Sequence, residues 1–422
     1  MEVKRGYKQA EVGIIPEEWE VKTLGELGTV VRGGSPRPAG DPRYFNGDYI
    51  PWLTVGSLTN IPEHQIFVKT TSTSLTEEGS KRSRTLSKDT LAIVNSGAKT
   101  LGVAKVLSIT CCANDGIAAL ISQRSGERRF LCYYLNSQTK RLREVVAAGN
   151  DQLNLNTGRI ALISVPYPEA QEQSAIADVL SDLDALLDAI DRLIAKKRDL
   201  KQAAMQQLLA GQTRLPGFKG EWEVKRLGEL AIFLKGKGLP KSAITPDGAE
   251  PCIHYGELFT HYPETIGEIV SRTNGSRDSF RSIANDVLMP TSDVTPRGLA
   301  KASCLNVDGV ILGGDILVIR SDNRRVFGPF LSYIIRREED QVLRLVTGST
   351  VYHLYGSDMK KFTFSLPSLA EQAAIAAVLS DMDAELATLK QRREKTRALK
   401  QGIMQELLTG KTRLVSQGGS RA

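Results

Sequence analysis

The chain is written twice, and this repeat limits what it can fold into more than any other feature. The run Glu18–Leu27 returns at Glu221–Leu230 with one change, Thr23 to Arg226. Glu172–Asp182 returns at Glu371–Asp381 with two changes, and Met205–Leu209 returns at Met404–Leu408 with one. The stretches between these matches are only weakly alike. Drift after a plain duplication would spread along the chain. Here it is sorted, so each half reads as a variable globular region followed by a shared segment.

The shared segments read as long helices. In the first, Ile176, Leu183 and Ile190 fall at one heptad position, and Val179, Leu186, Leu193 and Leu200 at another. No Gly or Pro interrupts the run, and Gly211 stands where a left-handed C-terminal residue belongs. Roughly 40 residues at 1.5 Å each give a helix of about 60 Å. The second copy keeps Ile375, Met382 and Leu389 and ends before Gly410. Its start, Ser368-Leu369-Ala370-Glu371, has capping-box form.

Charge is ordered along both helices. Asp178, Asp182, Asp184, Asp188 and Asp191 precede Arg192, Lys196, Lys197, Arg198 and Lys201. Asp381, Asp383 and Glu385 likewise precede Lys390, Arg392, Arg393, Lys395, Arg397 and Lys400. Acid first and base last suits each helix dipole. It also favours antiparallel pairing, because parallel pairing would set like charges side by side.

The globular regions read as mixed α/β. Strands are expected at Tyr49–Val55, Thr90–Val94 and Asp315–Arg320, with one helix per half at Phe130–Arg143 and Phe330–Leu345. The fold class is therefore α+β: two mixed α/β domains in pseudo-two-fold repeat, separated by two long helices forming an antiparallel coiled coil. The expected boundaries are 1–170, 171–212, 213–369 and 370–412, with a tail at 413–422.

Chemistry is sparse. The sequence has no G-x-x-x-x-G-K-[ST], no G-x-G-x-x-G after a strand and no H-E-x-x-H. Its five cysteines form no C-x-x-C pair, so buried thiols are expected rather than a metal site. The four histidines, His64, His254, His261 and His353, lie in no carboxylate or cysteine cluster. No apolar run is long enough for a bilayer, and the first residues have no signal-peptide pattern, so a cytoplasmic protein is expected. The net charge is +7. Residues 1–170 hold 21 Lys and Arg against 17 Asp and Glu, and 213–369 hold 20 against 18. Neither region is basic enough to bind nucleic acid by bulk charge, so any such binding needs shaped patches.

The Glu-Gln-x-x-Ile-Ala-x-Val-Leu-Ser-Asp segment follows a proline-bearing turn twice, after Val165-Pro166-Tyr167-Pro168 and after Leu366-Pro367-Ser368. With the Trp19 and Trp222 repeats and Gly211–Phe218, it resembles the specificity subunits of type I restriction–modification systems over nearly the whole chain. The resemblance implies that this chain is a non-catalytic adaptor. Each globular region would read one half of a bipartite, asymmetric site in double-stranded DNA, with the helices as a ruler between the readers. Methyltransferase subunits would carry S-adenosylmethionine, a restriction subunit would use ATP and Mg, and this chain would hold no cofactor. Base or phosphate contacts are expected from turn residues. In the first region these are Arg32, Arg37, Lys99, Gln152, Asn154 and Asn156. In the second they are Lys235, Lys237, Ser292, Arg297, Ser349, Tyr352 and His353. Three other readings stay open: a DNA reader serving a different methyltransferase or nuclease architecture, a scaffold that bridges proteins without touching DNA, and an enzyme whose motifs are not recognised.

Overall fold

The computed structural model describes residues 4–147, 155–275 and 278–414. The chain divides into two compact units. One is Met1–Arg192 with Gln391–Ala422, and the other is Leu193–Lys390. Each therefore holds a globular region, part of the first long helix (Ala170–Leu208) and part of the second (Leu369–Leu407).

The sequence repeat is a fold repeat. In the first unit a five-stranded sheet runs in the order Thr29–Arg32, Ile117–Ile121, Leu91–Val94, Ala104–Leu107, Phe67–Val68. In the second the order is Ala231–Lys235, Ile316–Ser321, Asp286–Pro290, Ser303–Leu305, Thr265–Ile266. In both, the last pair is parallel and the others antiparallel. The central strands are buried on both faces and are rich in Val, Ile, Leu and Ala, as doubly covered strands require. A second, smaller sheet flanks each: four strands around Phe45–Leu53 and three around Glu250–Ile253.

Local details depart from the sequence expectations. The strand expected at Tyr49–Val55 is Phe45–Leu53, because Thr54 and Ser57 cap a short helix that starts at Val55. The helix at Phe130–Arg143 is two, Arg128–Ser137 and Thr139–Ala147. They break at Gln138, whose N–H is shared between the carbonyls of Tyr134 and Leu135. Phe330–Leu345 is also two, Gly328–Arg337 and Glu339–Leu343, parted by the non-helical Glu338.

The shared Glu-Gln motif opens each long helix, and its residues tie the unit together. Glu172 accepts the Trp19 indole N–H at 3.0 Å and both Arg413 forks at 2.5 and 2.8 Å. Glu371 accepts Trp222 at 3.2 Å and Arg214 at 2.5 and 2.7 Å. Gln173 accepts the Glu127 N–H at 2.8 Å, and Gln372 accepts that of Phe327 at 2.8 Å. Ser368 caps the second helix through the Glu371 N–H at 3.4 Å. The expected capping box is thus only half formed, since the Glu371 carboxylate serves Arg214 and Trp222.

The heptad phase also differs. Ile176 and Ile190 are buried and Leu183 half-buried, but their companions are Leu180, Leu187 and Ile194. Leu186, Leu193 and Leu200 are exposed and Val179 half-buried. In the second helix Ile375 is buried, and Met382 and Leu389 are half-buried. All five cysteines are buried and free. No helix among the described residues is long and apolar enough to cross a membrane.

Candidate nucleic-acid interface

Each unit carries a tip built where an edge strand of the large sheet runs into glycine. In the first, Thr29–Arg32 ends at Gly33, whose N–H reaches the Ile117 carbonyl at 2.8 Å. A Cβ on Gly33 would lie 2.1 Å from the Asn114 carbonyl oxygen, so only glycine lets the chains approach so closely. In the second, Ala231–Lys235 ends at Gly236, which bonds the Ile316 carbonyl at 2.9 Å, and a Cβ there would lie 2.0 Å from the Gly313 oxygen. Arg32 and Lys235 are thus equivalent residues, each one step before an obligate glycine.

Around the first tip, three arginines gather on one turn. Arg32 donates its Nε–H to the Asp115 carbonyl at 2.7 Å, and Arg37 pairs with the Asp115 carboxylate at 3.5 Å. Arg84 donates to the Arg32 carbonyl at 2.7 Å. The Ser35 hydroxyl bonds the Asp115 carboxylate at 2.7 Å and, with Arg32 and Arg37 nearby, holds that carboxyl below the usual range. Lys99 is exposed in the turn after Asn95, which accepts the Leu155 N–H at 2.8 Å and donates to the Asp115 carbonyl at 3.3 Å. The Asn156 side chain caps the short helix Thr157–Ala161, accepting the Arg159 N–H at 2.8 Å. Gln152 and Asn154 lie outside the described residues.

Around the second tip, Lys235 pairs with Asp315 at 3.6 Å, and the Asp315 carbonyl accepts the Thr291 N–H at 3.0 Å. Thr291 leads into a two-stranded ribbon, Ser292–Asp293 against Tyr352–His353, with Ser292 opposite His353 and Asp293 opposite Tyr352. Arg297 sits on the 3₁₀ turn Pro296–Ala300 that packs on this ribbon, and it pairs with Glu339 at 3.4 Å. Ser349 is exposed in the loop between Thr347 and His353. Lys237, two residues past Lys235, turns to Asp278 at 3.3 Å. The structure therefore gathers Lys235, Ser292, Arg297, Ser349, Tyr352 and His353 around one ribbon.

Sequence reasoning passed over Arg84, Ser35 and Asp115, and the exposed Val294 and Tyr355 beside the ribbon. Arg84 had a visible signal in the run Lys81-Arg82-Ser83-Arg84. The histidine reading also needs correction: His64 lies 2.8 Å from Asp188 and 3.7 Å from Asp191. Those partners are far away in sequence, so no local run revealed them. Among the described residues, no group of three or more His, Cys, Asp or Glu could hold a metal.

The two tips are polar rather than strongly cationic, and Arg32, Arg37, Arg84, Lys235 and Arg297 are each held by a carboxylate or carbonyl. Such a surface can supply phosphate contacts through guanidinium and ammonium groups, and donors and acceptors to base edges.

Comparison with known proteins points the same way. The model of the type I restriction modification DNA specificity domain matches residues 16–197 and again 219–397. The MjaVIII type I restriction enzyme specificity subunit of Methanocaldococcus jannaschii is 23% identical over 431 residues, spanning 95% of this chain and 94% of the relative. The StySPI specificity subunit of Salmonella potsdam is 22% identical over 405 residues, spanning 90% and 85%. The S subunit of a type I restriction–modification system from M. genitalium shares the fold, with a TM-score of 0.62 at 14% identity over 96% of this chain and 98% of that one.

Proposed function

This chain belongs to the type I restriction modification DNA specificity family, and from that premise we propose that it is the sequence-reading subunit of a type I restriction–modification complex. The observation that carries the reading is the doubled match, one per half, together with an equivalent glycine-braced tip in each unit. Each tip reads one part of a two-part site in double-stranded DNA. Because Arg32, Arg37 and Arg84 face one part, and Lys235, Ser292, Arg297 and His353 the other, the two parts differ in sequence. Lys99, Ser349 and Tyr352 lie beside these groups and supply further phosphate or base contacts.

The long helices form an antiparallel coiled coil. In the first unit, Asp184 pairs with Lys400 at 2.5 Å and Asp191 with Arg393 at 2.5 Å. In the second, Lys197 pairs with Glu385 at 2.7 Å and Lys201 with Asp383 at 2.5 Å. As one number rises the other falls, which is the order that antiparallel helices produce.

On this reading the chain catalyses nothing and works in the cytoplasm. Methyltransferase subunits bring S-adenosylmethionine, and a restriction subunit brings ATP and Mg. The test is adenine-methylation mapping in a methylation-free host, with the partner methyltransferase expressed with and without this chain. A split motif that needs this chain, and changes one half at a time when one globular region is exchanged, is expected. The same motif without the chain would end the reading. A soluble complex that leaves DNA unmodified and unprotected would favour a protein scaffold.

A further inference from the structure

The ribbon of the second unit carries apolar side chains where a polar tip has no need of them. Alternation along a strand places residues i and i+2 on one face. The strands Ser292–Asp293 and Tyr352–His353 set Ser292 opposite His353, and the same alternation carried one or two residues past them puts Val351, Tyr355 and Val294 on that face. Burial agrees. Leu354, on the opposite face, is fully buried, whereas Val294, Val351 and Tyr355 are 72%, 44% and 53% exposed. The Tyr355 ring stacks on His353, with centroids 6.1 Å apart and planes 20° apart.

This ridge is held in place. Asp293 accepts the Val294 N–H and the Thr295 hydroxyl, both at 2.7 Å, which fixes the turn carrying Val294. Thr347 and His353 exchange two backbone hydrogen bonds at 3.0 and 2.7 Å. The loop between them turns at Gly348, φ +109°, where a Cβ would strike the Val351 carbonyl oxygen at 2.2 Å. The Leu354 N–H bonds the Thr291 carbonyl at 3.0 Å and so pins the base of Tyr355. A braced apolar ridge in water marks a contact surface.

We propose that Val294, Val351 and Tyr355 read thymine through its C5-methyl group. The inference rests on the DNA-reading role given above. A two-stranded ribbon fits the major groove of B-DNA, and the only apolar feature that base pairs present there is the thymine methyl. Lys235 and Arg297 flank the ridge and suit the phosphates on either side, while His353 and Ser292 supply polar contacts to neighbouring base edges. The half-site read by this unit thus contains thymine where the ridge enters. Tyr352, partly buried against the core of the unit, takes no part in this ridge.

The experiment selects duplexes from a random-sequence library with the full chain in complex with its methyltransferase. Each thymine in the enriched site is then replaced by deoxyuracil, which removes only the methyl. The wild-type complex is expected to lose about fourfold in affinity per methyl, the cost of exposing one buried carbon. That loss should fall at one or two positions of a single half-site. Val294→Ser and Tyr355→Ser complexes should bind thymine and deoxyuracil duplexes equally. Both side chains are exposed, and an unchanged melting temperature checks that the ribbon stands. Uracil tolerated everywhere by the wild type, or an undiminished uracil penalty in both variants, overturns the inference while an enriched site leaves the DNA-reading role intact. Variants that shed the methyltransferase instead would show the ridge to be a protein contact and also overturn it. Failure to enrich any sequence would remove the DNA-reading role itself.

Discussion

Lys400 closes on Asp184 at 2.5 Å, and its repeat partner Lys201 closes on Asp383 at the same distance. Each pair also holds a buried tyrosine: Tyr133 donates to Asp184 at 2.6 Å and Tyr333 to Asp383 at 2.7 Å. Burial pushes the carboxyl of Asp184 up, with Lys400 opposing it, and pushes both tyrosine hydroxyls up. Duplicated residues thus make reciprocal bonds, the acid of each helix meeting the base of the other. Lys400→Met strands a buried carboxylate and should cost the first unit about 3–5 kcal/mol. Asp184→Leu with Lys400→Met removes both charges and should recover most of it. Urea denaturation of the four corners of the cycle measures the coupling. A double variant no more stable than the single one would show that shape, not charge, governs the contact.

Glu172 and Arg413 join residues far apart in sequence through two parallel hydrogen bonds, with the Trp19 indole on the same carboxylate. The Arg413 guanidinium also lies over the Trp19 ring, 5.6 Å from its centroid. Arg413→Lys keeps the charge but loses the fork and the planar stack. It should lower stability by about 1–2 kcal/mol, and Arg413→Ala should cost more. Thermal melting ranks the three proteins. Equal melting of the Lys variant and the wild type would mean that charge alone suffices.

Much of this was legible in the sequence, and what was not has physical causes. The repeat and both helices announce themselves because their signals are local. The heptad phase misleads because apolar residues come as doublets: Val179-Leu180, Leu186-Leu187 and Leu193-Ile194. Either member satisfies the spacing, and only packing chooses Leu180, Leu187 and Ile194. The partners of Glu172 and Gln173 were invisible because the contacts are long-range. At the tips, Arg32 and Lys235 stood out as basic residues in turns. Val294 and Tyr355 did not, since an exposed apolar residue gains meaning only once the ribbon's alternation is known.

Asn156 illustrates the same limit, for an asparagine suited to reading adenine also suits a helix cap. Its side chain accepts the Arg159 N–H at 2.8 Å. Asn156→Ala should therefore cost about 1 kcal/mol of stability, and Asn156→Asp, which keeps the accepting oxygen, should cost little. If Asn156 only caps, the methylated motif stays the same in both. A changed motif in Asn156→Asp with unchanged melting would assign the side chain to base reading instead.

Glu264 gives the second unit a measurable response to acid. It sits between Lys201 at 3.4 Å and Arg336 at 3.3 Å and is mostly buried. Burial pushes its carboxyl up, but Lys201 and Arg336 outweigh that and hold it below the ordinary glutamate value. An acid whose folded value is depressed stabilises the fold above its unfolded value, and that contribution fades as pH falls through the folded value. At pH 7, Glu264→Gln should lose about 1–3 kcal/mol, the cost of leaving a partly buried cation short of a partner. Lys201 keeps Asp383, so Arg336 carries most of this loss. As pH falls from the unfolded value of about 4.3, the wild type loses what the variant already lacks, and the two denaturation midpoints should converge. Midpoints that stay a constant distance apart from pH 7 to pH 3 would show that the variant loses packing rather than charge. Midpoints that coincide at pH 7 would show that the two ion pairs only offset the cost of burying the carboxylate.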